Sequence, residues 1–96
     1  MKKVIVKYKN RNLYDLSKKA QITISELMGE LLIGTKIKIL KADDSEDITD
    51  DVFRKIINRL RREDTYSAEE ANIIVANMSY ERVPFIDAEN FLIENL

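Results

Sequence analysis

Ile22-Thr23-Ile24-Ser25-Glu26-Leu27 decides the fold, because the hydrophobic period changes within it. Thr23 and Glu26 have the spacing of a capping box, in which the two side chains satisfy each other's otherwise unpaired backbone donors. Ile22 and Leu27 flank that cap as a hydrophobic staple. Ile24, Leu27, Met28, Leu31 and Leu32 then recur at helical spacing, and Gly34 closes the segment as a left-handed C-terminal residue. Lone Gly29 inside this helix marks a candidate close contact. On either side the period is two. Val4, Val6 and Tyr8 alternate with Lys3, Ile5, Lys7 and Lys9, which predicts a strand with one basic face. Asn10-Arg11-Asn12 is turn chemistry, Leu13-Tyr14 resumes pairing, and Ser17-Lys18-Lys19 turns the chain into a short strand over Ala20 to Thr23. Lys36-Ile37-Lys38-Ile39 alternates again. A helix enclosed by strands in one short segment predicts an α+β fold, a small antiparallel β-meander with packed helices.

The second half is helical. A helix is expected from Thr49, with Asp50 and Asp51 at its positive end and Arg59, Arg61 and Arg62 at its negative end. Val52, Phe53, Ile56, Ile57 and Leu60 form its apolar stripe. A second capping box, Ser67-Ala68-Glu69-Glu70, opens a third helix with Ala71, Ile74, Val75 and Met78 on one face. Pro84 breaks the chain, and Asp87 caps a short final helix through Phe91, Leu92 and Leu96. The expected division is a basic α+β domain over residues 1–62 and an acidic helical C-terminal appendage over 63–96.

Charge supports that division. The net charge of −1 is a balance between +6 on residues 1–62 and −7 on residues 63–96, and the first 41 residues alone carry +7. Such asymmetry points to a polyanion partner or to neutralisation of one half by the other. With 96 residues the chain buries about 60–65% of its unfolded surface, so its core is modest and an oligomer is expected. Cysteine and histidine are both absent. Disulfides, thiolate metal sites and the commonest general base go with them, so no enzyme is expected, and no cofactor. The carboxylates Asp43, Asp44, Glu46, Asp47 and Asp50 lack the spacing and turn glycine of a calcium loop, so no metal is expected either. No apolar run reaches the ~18 residues of a membrane span. The apolar run within Met1 to Lys7 is also too short for a signal peptide, so a cytoplasmic location is expected.

The densest functional chemistry is Lys7-Tyr8-Lys9-Asn10-Arg11-Asn12-Leu13-Tyr14-Asp15. Phosphates are contacted by cations and small polar donors, base edges by Arg, Lys and Asn, and Tyr bonds phosphate or stacks on a base. The alternative is a solvated turn with Tyr8 and Tyr14 covering the core. Arg54 and Arg61 lie seven residues apart on one helix face, with Asn58 between them, and form a second candidate phosphate track. A solvated face is again the alternative. The candidate DNA-binding residues are therefore Lys7, Tyr8, Lys9, Asn10, Arg11, Tyr14, Arg54 and Arg61.

Lys7-Tyr8-x-Asn10-Arg11-x-Leu13-Tyr14-Asp15 resembles the opening motif of the polyhydroxyalkanoate synthesis regulator family, in its N-terminal DNA-binding domain. The likeness continues through Ile22-Thr23-Ile24-x-x-Leu27, Gly34, Ile37-x-Ile39, Glu46-Asp47-Ile48-Thr49 and Ile56-Ile57. It covers residues 7–57. Asn12, Gln21, Lys41, Ser45 and Lys55 depart from it, standing where the family usually has a basic residue, tyrosine, aspartate, glycine and glutamine respectively. Beyond about Glu63 there is no likeness to the family's polymer-associated region, so contact with a storage polymer is not implied. The resemblance implies a small bacterial transcription regulator that binds duplex DNA, and the small core and unpartnered C-terminal helices lead us to expect a homodimer or higher homo-oligomer. The competing reading is a protein-interaction module whose basic domain docks an acidic partner. Residues 63–96 are expected to form the dimer interface, or else to fold back and complete their own core.

Overall fold

The computed structural model describes residues 2–82, with side chains described as far as Met78. Strands β1 (Lys2–Lys7), β2 (Leu13–Asp15) and β3 (Ala20–Ile22) form the expected antiparallel meander. Helix α1 (Ile24–Leu32) follows, then β4 (Lys36–Lys41), α2 (Thr49–Arg62) and α3 (Ala68–Arg82). The sheet order is β3-β2-β1-β4, and β4 lies parallel to β1, with Lys2 opposite Lys36 and Lys7 opposite Lys41. The sheet is therefore mixed. The intervening β2, β3 and α1 carry the chain back to the start of β1, which a short hairpin could not do. Because β1 and β4 run the same way, Lys7 and Lys41 finish at the same end of the sheet.

Both capping boxes form. Thr23 Oγ1 accepts from the Glu26 amide at 3.1 Å and Glu26 Oε1 from the Thr23 amide at 3.0 Å. Ser67 and Glu70 repeat the exchange at 3.1 and 2.9 Å. Gly34 takes φ +90°, as the helix end requires. Gly29 is not a close contact: a Cβ built there would meet nothing within 4 Å.

One face of the sheet is covered. Ile5, Leu13, Ile22, Ile37 and Ile39 join Leu27, Met28 and Leu31 of α1, Val52, Phe53 and Ile56 of α2, and Ile74 and Met78 of α3 in a single core. The other face keeps Val4 and Lys38 exposed. The basic face of β1 is the one turned inward, since Lys3 and Lys7 share it with Ile5. Lys3 is buried because Asp15, on β2, meets its ammonium at 2.8 Å, and Glu30 of α1 lies at 3.7 Å.

Helix α3 packs on α1, where Asn77 Nδ2 donates to the Leu31 carbonyl. Ile74 and Met78, one turn apart, cover the apolar surface of that helix within the same chain. The expected final helix from Asp87 lies outside the described residues.

Candidate nucleic-acid interface

The turn between β1 and β2 is built by its own backbone. The Tyr8 amide donates to the Asn12 carbonyl at 3.0 Å, and the Arg11 amide to the Tyr8 carbonyl at 2.9 Å. This closes a three-residue loop, Lys9-Asn10-Arg11, whose last residue must be left-handed. That residue is Arg11, at φ +68°. Either neighbouring asparagine would adopt this conformation more readily. Asn10 is used otherwise, its Oδ1 accepting from the Asn12 amide at 3.0 Å. The Asn10 carbonyl oxygen is thus committed to the turn, while Nδ2 can still donate outward.

Helix α2 is placed by Thr49. Its buried hydroxyl accepts from the Ile39 amide at 2.9 Å and donates to Asp47 Oδ1 at 2.6 Å; Asp47 Oδ1 also takes the Thr49 amide at 2.9 Å. The N-cap position itself is Ile48, which has no side-chain cap bond, so Asp47 serves the first turn instead. Ile48 in turn donates its amide to the Ile39 carbonyl at 2.9 Å. The outer edge of β4 is thereby paired at Ile39, and the first turns of α2 are fixed beside the ends of β1 and β4.

A cleft of about 1010 Å³ opens between the hairpin turn, the loop after β4 and this half of α2. Of the residues expected from sequence, Lys7, Tyr8, Lys9, Asn10, Arg11 and Arg54 line it. Tyr14 does not: it faces away on the uncovered side of the sheet, meeting the Tyr8 ring edge-on at 6.2 Å. Arg61 does not either, because it lies two turns further along α2, exposed and beyond the cleft. Lys41, not anticipated from sequence, also lines it, as do Lys55 and Asn58 from the basic stretch of α2 expected to track phosphates. Asp51, Arg54, Lys55 and Asn58 make a helical stripe at spacings of three, four and seven, which was the available signal. Lys41 and Lys55 both bring a cation to the cleft.

Electrostatics separates these cations. Lys41 lies 3.6 Å from Glu46 and 4.0 Å from Asp44, and Arg54 lies 3.7 Å from Asp51. Arg59 is engaged away from the cleft, with Glu63 at 2.9 Å and Ser25 at 3.1 Å. Among the described residues, Lys7, Lys9, Arg11 and Lys55 make no ion pair. Lys7 is held below its ordinary value first by burial and then by the neighbouring Lys55 ammonium and the Arg11 guanidinium, against a weaker opposing pull from Asp51. The cleft carries more cations than carboxylates, six against three, which suits phosphate.

Residues 4–64 match the family model described as the PHB/PHA accumulation regulator DNA-binding domain. The chain belongs to that family. The match covers the meander from Val4, the cleft and the whole of α2, and extends at both ends the stretch over which the sequence resemblance was drawn. No curated protein and no solved structure matches the chain. The PHB/PHA accumulation regulator DNA-binding domain is a binding module by description, and DNA is its partner class. Among the described residues of this member, no helix is long and apolar enough to cross a membrane.

Proposed function

We propose that this PHB/PHA accumulation regulator DNA-binding domain binds duplex DNA through the cleft between its hairpin turn and α2, and regulates transcription of polymer-storage genes in the bacterial cytoplasm. The observation that carries the reading is convergence. Lys7, Lys9 and Arg11 come from one end of the chain and Arg54 and Lys55 from its middle, yet all five line one cleft. Within it, Arg11 and the Asn10 amide are the groups for base edges or close backbone contact, and Lys7, Lys9, Lys55 and Arg54 the groups for phosphates. Tyr8 stands at the rim, and Tyr14 supports it through the edge-on ring contact. Arg61 serves a flanking phosphate at most.

The proposal includes a two-fold homodimer, which would present two such clefts at the spacing of a palindromic site. Its support is sequence beyond Arg82, where residues 83–96 carry seven large apolar side chains and three carboxylates with no cation.

A gel-shift series over salt concentration with the protein's own upstream DNA tests the reading. Log affinity should fall linearly with log salt, at about −0.9 per phosphate neutralised, and Lys9→Ala should flatten the slope by about one unit without altering sequence preference. A flat salt response defeats the reading. Solution mass of the full chain, compared with a chain ending at Arg82, tests the dimer.

A further inference from the structure

We propose that Lys7, Lys55 and Arg11 form a discrete phosphate-binding site within the cleft, built to take one phosphate group between a strand end, a hairpin turn and a helix. The inference rests on the DNA-binding reading of the same cleft and adds to it a fixed point at which the backbone is gripped.

Rigidity is the first support. Lys7 is the last residue of β1, held between Leu13 of β2 and Lys41 of β4. Lys55 stands on a helix anchored by Thr49 at its start and by buried Phe53 and Ile56 on the opposite face. Neither backbone can withdraw, so the fold keeps both lysine stems on the same cleft. Arg11 is fixed as well, by its left-handed place in the closed turn.

Charge is the second. Three carboxylates border the cleft, Asp43, Glu46 and Asp51. Glu46 is drawn to Lys41 and Asp51 to Arg54, so these two cations are paired while, among the described residues, Lys7, Arg11 and Lys55 make no ion pair. Asp43 makes no ion pair with any of them. Like charges gathered on one cleft oppose folding, and an anion bridging them reverses that effect. A phosphate monoanion offers two unshared oxygens for two ammonium groups and leaves an edge for the planar guanidinium fork. The phosphate can belong to a nucleic-acid backbone or to a free phosphorylated compound; the chemistry recognised is the same.

The test uses the full chain and two probes, inorganic phosphate and a mixed-sequence duplex. Titration with phosphate, followed by backbone and lysine side-chain NMR signals, should move Lys7, Arg11 and Lys55 and leave Lys38 and Arg61 in place. In phosphate-free buffer at low salt, Lys55→Gln should raise the melting temperature, abolish the phosphate response and reduce the duplex salt slope by about one unit. Lys55→Arg should retain both kinds of binding. If the duplex binds while phosphate leaves Lys7 and Lys55 unmoved, the discrete site is overturned and the DNA reading survives. If phosphate binds there and the duplex does not, the site stands for a free phosphorylated ligand and the DNA reading falls. A Lys55→Gln variant that melts lower and keeps its salt slope overturns the site, as does tighter binding of a polyglutamate peptide than of either phosphate probe.

Discussion

Lys3 Nζ lies 2.8 Å from Asp15 Oδ2 across the β1–β2 pair, and both side chains are buried. The pair is well satisfied. Asp15 Oδ1 also accepts from the Ser17 hydroxyl at 2.7 Å and from the Ser17 and Lys18 amides at 2.9 and 3.3 Å. Burial alone would raise the Asp15 carboxyl; the Lys3 ammonium, the Ser17 hydroxyl and the two amides outweigh it and hold the group at about 2. Lys3 is raised above its ordinary value, first by that hydrogen bond to Asp15 and in spite of burial.

The sign of the resulting pH dependence follows from Asp15. Its folded value lies below the ordinary 3.8, so its stabilisation is complete above about pH 5 and is lost as pH falls toward 2. The loss should be about 2 kcal/mol, read as a falling urea midpoint between those pH values. Asp15→Asn should remove this slope and cost about 3 kcal/mol at pH 7, because it leaves Lys3 buried with only Glu30 at 3.7 Å. An unchanged acid slope in Asp15→Asn would show that other carboxylates carry it.

Arg11 sets function against stability. A non-glycine residue in the left-handed region costs about 1 kcal/mol, which glycine avoids. Arg11→Gly should therefore keep or raise the melting temperature while weakening duplex binding. Arg11→Lys should also weaken binding although charge is kept, since the fork is lost. Equal binding by Arg11→Gly and the unaltered protein would remove Arg11 from the interface.

Thr49 joins the core to the cleft. Thr49→Val keeps the shape but leaves the Ile39 amide without its hydroxyl partner, which should cost about 1–3 kcal/mol in thermal or urea unfolding. Thr49→Ser retains the hydroxyl and should recover most of that loss. Comparable losses in the two variants would mean that the methyl group, rather than the hydrogen bond, holds α2 in place.

Gly29 is available for improvement. It lies inside α1 with space for a Cβ, so Gly29→Ala should stabilise the protein by about 1 kcal/mol and leave duplex affinity unchanged. Destabilisation would indicate a contact made by Gly29 in the assembled protein.

Much of the local structure was legible in the residues themselves. The capping boxes at Thr23 and Ser67, the apolar stripe of α2 and the glycine after α1 each depend on neighbours within a few positions, and each forms where it was expected. The Asn10-Arg11-x-Leu13-Tyr14-Asp15 and Glu46-Asp47-Ile48-Thr49 motifs together also pointed to the family to which the chain belongs. Half of the candidate interface was legible in the same way, because Lys7 to Arg11 form one continuous turn.

Tertiary structure decided the rest. A period of two separates the faces of β1 without saying which is inside; that depended on Ile5 sharing a face with Lys3, and on Asp15 and Glu30 arriving from β2 and α1 to accept the ammonium. Asn10-Arg11-Asn12 reads locally as a turn, but closure of a three-residue loop is what puts the positive φ at Arg11. Arg54 and Arg61 share a helix face in sequence, yet only Arg54 reaches the cleft, joined there by Lys41 and Lys55. The cause is the parallel pairing of β1 with β4, which brings Lys7, Lys41 and the first turns of α2 to one end of the sheet. Strand direction across a gap of some 30 residues is set by how the intervening helix packs, and no local pattern encodes it.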